Sequence, residues 1–216
     1  MLECSMAIKC PSVDDQLATF KKFQQAFCDV SLLRQVINTD ADTEKVKCLF
    51  QGIWSLEHMG QPDAVEVNQV VEKAIANPHD FVLKPQKEGG GNNFFDEELK
   101  AYLQDPSKRD ELSTYIIMER INPPTIKAWM LRNGAINTCQ SLSEIGIYSC
   151  LFMKTSPDSF PEMVQNRNMG TLLRTKGSHS NEGGVNAGFA VIDSPFFVDT
   201  DQFFEDKETV KPTVDL

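Results

Sequence analysis

The chain lacks the usual sequence signatures of a phosphate-binding loop. No segment fits G-x-x-x-x-G-K-[ST] and none fits G-x-G-x-x-G, so a Walker loop and a dinucleotide-binding fingerprint are both excluded. An apolar run approaching the roughly eighteen residues of a membrane span is also missing. Residues 1–7 carry neither a basic region nor a long apolar region, which argues against a secretory signal. We therefore expect neither a membrane partner nor secretion.

Paired cysteines and excess basic charge are also missing. The six cysteines are scattered and form no C-x-x-C pair, which favours reduced thiols in the cytoplasm over a disulfide framework or a zinc site. The three histidines have no spacing typical of metal ligands. With 21 basic and 31 acidic residues, the formal net charge is −10. Because nucleic-acid binding needs a basic face, we expect no nucleic-acid partner.

The composition that is present is that of an ordinary globular protein. The 216 residues are 41% hydrophobic and 24% charged, which is enough for one large domain or two small ones. Up to residue 78 the apolar positions recur mostly at helical spacing, and Ser12 with Asp15 forms a capping pattern. The predicted helices cover residues 12–27, 32–37, 46–53, 67–75 and 94–103, with a polar break at 38–43.

Beyond residue 103 the pattern changes to that of strands. Asn133-Gly134 is the strongest hairpin signal in the chain. Residues 199–216 carry six acidic residues against two lysines, which predicts an acidic, disordered tail. The order of elements predicts an α+β fold, a helical N-terminal part followed by a mostly antiparallel sheet. Strands are predicted at 81–83, 115–118, 128–131, 135–141, 145–153, 171–176 and 189–192, and loops at about 156–168 and at 177–188.

The stretch at residues 81–93, F-V-L-K-P-Q-K-E-G-G-G-N-N, carries the densest chemistry. Lys84 stands at the predicted mouth of a strand, and Pro85 prevents a simple continuation of the ladder. Three consecutive glycines are costly in conformational entropy, and they suit a backbone that approaches a ligand closely and donates N–H groups to phosphate. With two lysines and Glu88 beside them, the stretch fits a site for Mg·ATP. It equally fits a flexible hairpin tip with a solvated charge run.

Other charged residues complete a constellation. Lys21 lies on the first predicted helix, where a solvated face is the alternative interpretation. The strand at 115–118 ends on M-E-R-I, Glu144 lies in S-L-S-E-I-G-I, and Arg174-x-Lys176 precedes a second loop of small residues. Lysines for phosphates, a strand edge for adenine and a carboxylate for a metal are the parts of an ATP-grasp nucleotide site.

The motifs resemble those of a known family. K-P-Q-K-E-G-G-G-N-N, T-Y-I-I-M-E-R-I, S-E-I-G-I, L-L-R-T-K and G-G-V-N-A-G occur in this order. In order and approximate spacing they are similar to the C-terminal half of eukaryotic glutathione synthetases, and the similarity covers roughly residues 1–198. The triple-glycine and L-L-R-T-K motifs together make it highly specific.

The resemblance implies an ATP-dependent ligase that joins γ-glutamylcysteine to glycine through an acyl phosphate, with Mg²⁺ as cofactor and ATP as co-substrate. It implies part of an ATP-grasp fold and, for full-length members, a homodimer. Residues 1–20 would end the substrate-binding region and linker. Residues 21–198 would form the ATP-grasp portion, including a glycine-rich lid at about 58–140, and 199–216 would be an additional tail.

The resemblance also assigns nucleotide-binding roles. Lys21 and Lys84 would contact the phosphates, and Glu88 would ligate Mg²⁺. Phe95 replaces a family tyrosine near the nucleotide, although it fits a helix core equally well. Glu144 would bind the ribose, or would be an ordinary strand carboxylate.

The lid over the phosphates would comprise Lys84, Pro85, Gln86, Lys87, Glu88, Gly89, Gly90, Gly91, Asn92 and Asn93. The adenine-side strand would comprise Met118, Glu119, Arg120 and Ile121, with Lys176 and Glu182 also at the nucleotide.

Catalytic and substrate roles follow in the same way. Lys84, Arg174 and Lys176 would stabilise the charge of the reaction, with Arg174 on a substrate carboxylate. Val185 and Asn186 would line the substrate end of the second loop. Asn186 stands where the family favours alanine, so another accepting amino acid is an open alternative. Because family members are considerably longer, a nucleotide-binding or regulatory module without ligase activity, paired with a full-length subunit, is the other alternative.

Overall fold

Two compact units make up the chain, Met1–Pro123 and Pro124–Leu216. The computed structural model describes residues 4–87, 91–132, 134–156 and 159–195. The predicted tail at 199–216 lies outside these residues. None of the helices in the described parts is long and apolar enough to cross a membrane.

The first unit combines helices with a small antiparallel sheet. Its strands are β1 (Ile53–Ser55), β2 (Phe81–Pro85), β3 (Phe94–Phe95) and β4 (Tyr115–Glu119), arranged in the order β1-β4-β2-β3. Its helices are α1 (Val13–Ala18), α2 (Lys21–Ala26), α3 (Val30–Val36), α4 (Asp40–Lys47), α5 (Val65–Ala76), α6 (Asp96–Gln104) and α7 (Arg109–Leu112). Short 3₁₀ turns lie at Pro78–Asp80 and Pro106–Lys108.

The core of the first unit holds β2 in place. Leu83 on β2, Ile117 on β4 and Leu99 on α6 are each 0% exposed. Leu83 lies opposite Ile117 in the ladder, so the next residue, Lys84, lies opposite Ile116 and is half-buried. The predicted strand at 81–83 is therefore confirmed and extends to Pro85. Since a proline cannot donate to the ladder, the strand ends there, at the start of the glycine stretch.

Helix α5 confirms the prediction for residues 67–75. It buries Val70, Val71 and Ala74 on one face, the spacing expected of an amphipathic helix. It ends at Asn77 because the residue before a proline is disfavoured in the helical region, and Pro78 opens the following 3₁₀ turn.

The predicted single helix at 12–27 is wrong. The capping box is present, since Ser12 Oγ accepts from Asp15 N at 3.2 Å and Asp15 Oδ2 accepts from Ser12 N at 3.3 Å. However, Phe20 adopts an extended conformation between α1 and α2. Val13 is 53% exposed and Leu17 44%. Short helices gain most of their stability from the burial of an apolar face, and the apolar face of α1 is not buried.

Two other boundaries differ from the sequence pattern. The break predicted at 38–43 is present but shorter, because α3 ends at Val36 and Thr39 Oγ1, which accepts from Asp42 N at 3.1 Å, begins α4 at Asp40. That helix ends at Lys47, and Ile53 belongs to β1, opposite Met118. The fifth helix starts at Asp96 and not at residue 94, because Phe94 and Phe95 pair with β2. These strand pairings join residues eleven or more positions apart in the chain, and they override the local helical spacing.

The second unit is an antiparallel sheet dominated by one long hairpin. Arg132 lies opposite Ala135 in the register, and Gly134 has φ 76°, which confirms the hairpin predicted at Asn133-Gly134. The loop predicted at about 156–168 is wrong, because Met163 pairs with Met153 in the ladder. The strands are β5 (Ile126–Arg132), β6 (Ala135–Ser156), β7 (Ser159–Gly177) and β8 (Ala190–Asp193), in the order β5-β6-β7-β8.

The mixed architecture agrees with the α+β expectation. All strand pairs in both sheets are antiparallel. The residues predicted as functional are divided between the units. Those up to residue 121 lie in the first unit, and those from residue 144 onward lie in the second.

Candidate functional site

In the first unit, helix α2 contacts the segment that leads from β2 into the glycine stretch. Lys21 Nζ donates to the Lys87 carbonyl at 3.0 Å, and the Lys22 backbone N–H donates to Gln86 Oε1 at 3.1 Å. Two residues of one helix thus hold two consecutive residues that are more than sixty positions away in the chain. The ammonium group of Lys21 is placed at the root of the loop that the sequence predicts as a phosphate lid.

Helix α2 is itself held by a contact with β1. Lys22 Nζ donates to Ser55 Oγ at 2.6 Å and forms an ion pair with Glu57 Oε2 at 2.8 Å. The hydrogen bond and the charge of Lys22 lower the pKa of Glu57 below its ordinary value. Both side chains are about half exposed, 46% and 55%, so solvent screens the pair and its contribution to stability is small.

The centre of the glycine stretch, Glu88, Gly89 and Gly90, lies outside the described residues. The predicted Mg²⁺ ligand Glu88 is therefore untested. Gly91 has φ 80°, a conformation that glycine adopts readily and most residues do not. Among the described residues no group of three or more His, Cys, Asp or Glu side chains could hold a metal ion. Asn92 and Asn93, which complete the predicted lid, are half-buried.

The end of β4, predicted as the adenine side, is anchored by backbone bonds. Glu119 N donates to the Gly52 carbonyl at 2.9 Å, and Glu119 Oε2 accepts from Gly52 N at 3.1 Å. Arg120 N donates to the Asp80 carbonyl at 2.8 Å. Met118 is half-buried and Ile121 is 66% exposed. The side chain of Glu119 thus has a structural role, which the motif alone did not indicate.

A cluster that the sequence did not reveal surrounds Arg120. Its guanidinium lies 5.6 Å from the centroid of the Phe95 ring and pairs with Asp96 Oδ1 at 3.3 Å. The same oxygen lies 2.7 Å from His79 Nδ1. The spacing of the histidines gives no indication of this contact, and Asp96 lies within the helix predicted at 94–103 without a motif of its own.

A polar pocket of about 380 Å³ opens beside this cluster. Lys73 and Arg120 contribute positive charge to its wall, and Asp80 and Glu119 contribute negative charge. The pocket lies in the first unit at the end of β4, next to the segment predicted to receive adenine.

In the second unit, Arg174 and Glu144 are paired. They lie opposite each other on β7 and β6, and Arg174 Nη2 donates to Glu144 Oε1. The buried neighbour Thr175, which is 2% exposed, fixes this part of the sheet. Thr175 Oγ1 lies 2.9 Å from Ser143 Oγ and donates to Asp193 Oδ2 at 3.1 Å. A ribose on Glu144 or a substrate carboxylate on Arg174 would therefore compete with this ion pair.

Lys176 leads into the second small-residue loop and is held by it. Its Nζ donates to the carbonyls of Ser180 at 2.8 Å and of Asn181 at 3.1 Å. Ser180 Oγ in turn donates to the Glu182 carbonyl at 3.0 Å. The loop turns back on itself, since the Gly188 N–H donates to the Val185 carbonyl at 2.9 Å. Beside it, Val185 is half-buried and Asn186 is exposed.

The structure thus brings the predicted residues together in two sets. The first unit gathers Lys21 and the 84–87 segment, and places Phe95 with Arg120. The second unit gathers Glu144 with Arg174, and Lys176 with the 177–188 loop. Each set is internally consistent with phosphate or carboxylate binding, because cations stand next to loops of small residues.

Comparison with known proteins adds an independent finding. Residues 5–197 match the family model described as eukaryotic glutathione synthase, ATP binding domain. The glutathione synthetase of Xenopus laevis is 38% identical over 92% of this chain, and that of Dictyostelium discoideum is 38% identical over 90%. The chloroplastic glutathione synthetase of Arabidopsis thaliana is 35% identical over 92%.

The match covers only part of each relative. The chain spans 40% of the Xenopus protein, 39% of the Dictyostelium protein and 34% of the Arabidopsis protein. A solved structure of a glutathione synthetase-like effector from Globodera pallida in apo form aligns with a TM-score of 0.59 and 22% identity. It covers 91% of this chain and 38% of that chain, and at this identity the likeness concerns the fold.

Proposed function

We propose a function for this chain from its family, since it belongs to the eukaryotic glutathione synthase ATP-binding domains. We propose that it binds ATP and serves as the nucleotide-binding portion of a glutathione synthetase of ATP-grasp type. The observation that carries the proposal is the contact of α2 with the 84–87 segment. There, Lys21 Nζ donates to the Lys87 carbonyl at 3.0 Å. The Lys21 ammonium therefore lies at the start of a stretch that carries, in sequence, two further lysines and three glycines, which are residue types that suit phosphate binding.

In the proposed reaction, the glycyl-accepting carboxylate of γ-glutamylcysteine attacks the γ-phosphate of ATP. This forms an acyl phosphate and releases ADP. The amine of glycine then attacks the acyl carbon, a proton leaves the amine, and phosphate departs as glutathione forms. Such chemistry depends on positioning and charge stabilisation. Lys84 and Lys176 would hold ATP and Arg174 a substrate carboxylate. Two unit charges about 4 Å apart interact by roughly 4 kcal/mol at an effective dielectric near 20.

Mg²⁺ is part of this proposal, with Glu88 as its ligand. The ion characteristically takes one or two carboxylates together with phosphate oxygens of the substrate, so a single carboxylate on the loop suits it. Lys21 donates to the carbonyl of Lys87, the residue just before Glu88 in the sequence, and Glu88 itself lies outside the described residues. The metal would neutralise phosphate charge, while the lysines of this chain orient the nucleotide.

A second candidate function is a nucleotide-binding or regulatory module without ligase activity, paired with a full-length subunit. The exposed apolar side chains of the long hairpin favour it. Ile145 is 49% exposed, Ile147 70% and Leu151 54%. Apolar surface of this kind typically marks an interaction site. A ligase that accepts an amino acid other than glycine is a further alternative, and it rests on Asn186, which is exposed.

A homodimer and a cytoplasmic location are further parts of the proposal. The homodimer rests on the resemblance to full-length family members. All six cysteines are unpaired thiols, which suits a reducing compartment. Chloroplastic proteins are also among the relatives.

ATP binding is tested directly by titrating the purified chain with a fluorescent ATP analogue in the presence and absence of Mg²⁺. Saturable binding by the wild type, displaced by unlabelled ATP and weakened at least about tenfold in Lys84→Ala, would support the proposal. Lys45→Ala is the matched control, since Lys45 lies on α4 and is 76% exposed. Equal loss in both variants, or no binding by a folded wild type, would overturn it.

Ligase activity is tested separately. The chain is supplied with Mg·ATP, γ-glutamylcysteine and glycine, and glutathione is assayed together with released phosphate. Glutathione formed in step with phosphate, and lost in Lys84→Ala, identifies a ligase that works alone. ATP binding without glutathione favours the regulatory module or a requirement for the remaining length of the relatives. Co-expression with that region then separates these two outcomes.

A further inference from the structure

Asp96, the first residue of α6, has an unusual backbone. Its φ is 52°, and among the described residues it is the one non-glycine residue with positive φ. This left-handed region is disfavoured for residues with a Cβ atom, although aspartate tolerates it better than most. Residues held in such conformations cluster at functional sites, where the surrounding contacts fix them.

The side chain of Asp96 joins three elements of the first unit. Oδ1 lies 2.7 Å from His79 Nδ1 on the 3₁₀ turn and 3.3 Å from Arg120 Nη1 at the end of β4. Arg120 in turn covers the ring of Phe95, with its guanidinium carbon 5.6 Å from the ring centroid. Arg120 and Asp96 are 27% and 33% exposed, so solvent screens their pairing only partly.

We propose that Asp96 is a positioning residue for nucleotide binding, which fixes the Arg120 guanidinium on the Phe95 ring. This inference rests on the proposed function, in which Phe95 and Arg120 lie at the nucleotide. A guanidinium offers five donors in a rigid fork, and in DNA recognition arginine commonly donates two hydrogen bonds to the O6 and N7 atoms of guanine. By holding that fork, Asp96 limits the hydrogen bonds that Arg120 offers to a base. It thereby favours ATP over GTP.

A purely structural role for Asp96 makes different predictions. Asp96, Glu97 and Glu98 form an acidic first turn of α6, and such residues stabilise a helix N-terminus. In that case, neutralising Asp96 would lower stability without changing nucleotide preference, and neutralising Glu97 would act similarly. The side-chain geometry favours the positioning role, because the Asp96 carboxylate contacts His79 and Arg120.

A double-mutant cycle tests the proposal. The dissociation constants for ATP and GTP are measured by competition against a fluorescent ATP analogue, for wild type, Asp96→Asn, Arg120→Ala and the double variant. Asparagine tolerates the left-handed region, so Asp96→Asn changes the charge and not the backbone. Glu97→Gln is the matched control, since Glu97 lies in the same turn, pairs with Lys100 at 4.0 Å and is 74% exposed.

The expected result is that Asp96→Asn weakens ATP binding about threefold to tenfold and lowers the ATP-to-GTP preference by a similar factor. The double variant should bind ATP like Arg120→Ala alone, because Asp96 acts through Arg120. Unchanged ATP and GTP affinities in Asp96→Asn would overturn the proposal, as would independent, multiplicative effects of the two substitutions. So would an equal effect of Glu97→Gln.

Two measurements keep the outcomes distinguishable. Melting temperatures show whether each variant is folded, and Asp96→Gly serves as a second variant, since glycine adopts the same φ without strain. It should match Asp96→Asn in nucleotide preference. If a folded wild type binds neither nucleotide, the proposed function fails and this inference falls with it. If the wild type binds ATP and the Asp96 variants bind identically, only the inference fails.

Discussion

Glu144 and Arg174 face each other across the β6–β7 ladder, and the guanidinium of Arg174 donates to the carboxylate of Glu144. The resemblance assigns them to different ligands, a ribose and a substrate carboxylate. Each side chain is therefore engaged by the other through the group that it would present to its own ligand. A ligand at either residue would compete with this internal ion pair, which links the two expected roles.

Glu144→Gln should expose this link. The side chains of Arg174 and Glu144 are 37% and 65% exposed, and pairs of this kind contribute about 0–1 kcal/mol. We expect a small change in the free energy of unfolding and tighter binding of a carboxylate ligand to the released guanidinium. Chemical denaturation and titration with γ-glutamylcysteine measure the two quantities. Weaker carboxylate binding in Glu144→Gln would contradict the exchange, and Arg174→Ala supplies the unliganded reference.

Lys21 and Lys22 offer a comparison between adjacent lysines of one helix. Lys21 Nζ contacts the Lys87 carbonyl, whereas Lys22 Nζ pairs with Glu57 and only its backbone N–H reaches Gln86. Lys21→Ala should weaken binding of the fluorescent ATP analogue about tenfold or more. Lys22→Ala, which makes the same charge change and keeps the backbone bond, should have a much smaller effect. Equal losses would indicate general electrostatic attraction in place of a specific contact.

Leu83 connects the core to the candidate site. It is 0% exposed and immediately precedes Lys84. Truncating a buried leucine removes its contacts and leaves a cavity, so Leu83→Ala should destabilise the first unit by about 2–5 kcal/mol. Leu49→Ala is the control, because Leu49 is 83% exposed and surface changes usually remain within about 0.5 kcal/mol. Urea denaturation measures both, and a Leu83 effect no larger than that of Leu49 would contradict the assigned core.

Local sequence patterns predicted those elements whose signals are short-range. The strand at Phe81, the helix closed by Pro78 and the hairpin at Gly134 each depend on a few adjacent residues, and each is confirmed. The boundaries that failed depend on distant partners. Phe94 has helical spacing, yet it pairs with Leu83 in the sheet. Met163 lies in a polar stretch, yet it pairs with Met153.

The candidate site shows the same division. Motif order predicts which residue types carry the chemistry, and that assignment stays a prediction, although Lys21 contacts the carbonyl of Lys87 in the predicted lid. The partners of these residues were not predictable. Asp96 meets Arg120 across 24 positions, and Lys176 donates to the carbonyls of its own loop. Such contacts are set by tertiary packing, for which a single sequence has no local signal.

Acidification should destabilise the first unit in a defined pH range. Hydrogen bonds from Ser31, Thr39 and Ser107 lower the pKa values of Asp29, Asp42 and Asp105 below 3.8. A hydrogen bond from Lys22 likewise lowers that of Glu57 below 4.5. Because the folded state lowers these pKa values, their stabilising contribution is complete above the unfolded values and disappears as the pH falls through the folded ones.

The free energy of unfolding from urea denaturation should therefore be nearly constant from about pH 7 to 5 and decline below the ordinary carboxylate values. The part of the decline that comes from the charges of Lys22 and Lys45 should shrink at high salt. The double variant Asp29→Asn, Asp105→Asn removes two of the titrating carboxylates. Its free energy of unfolding should therefore change less between neutral and acidic pH. A stability that rises on acidification, or an unchanged slope in the double variant, would show that these caps do not govern the acid response.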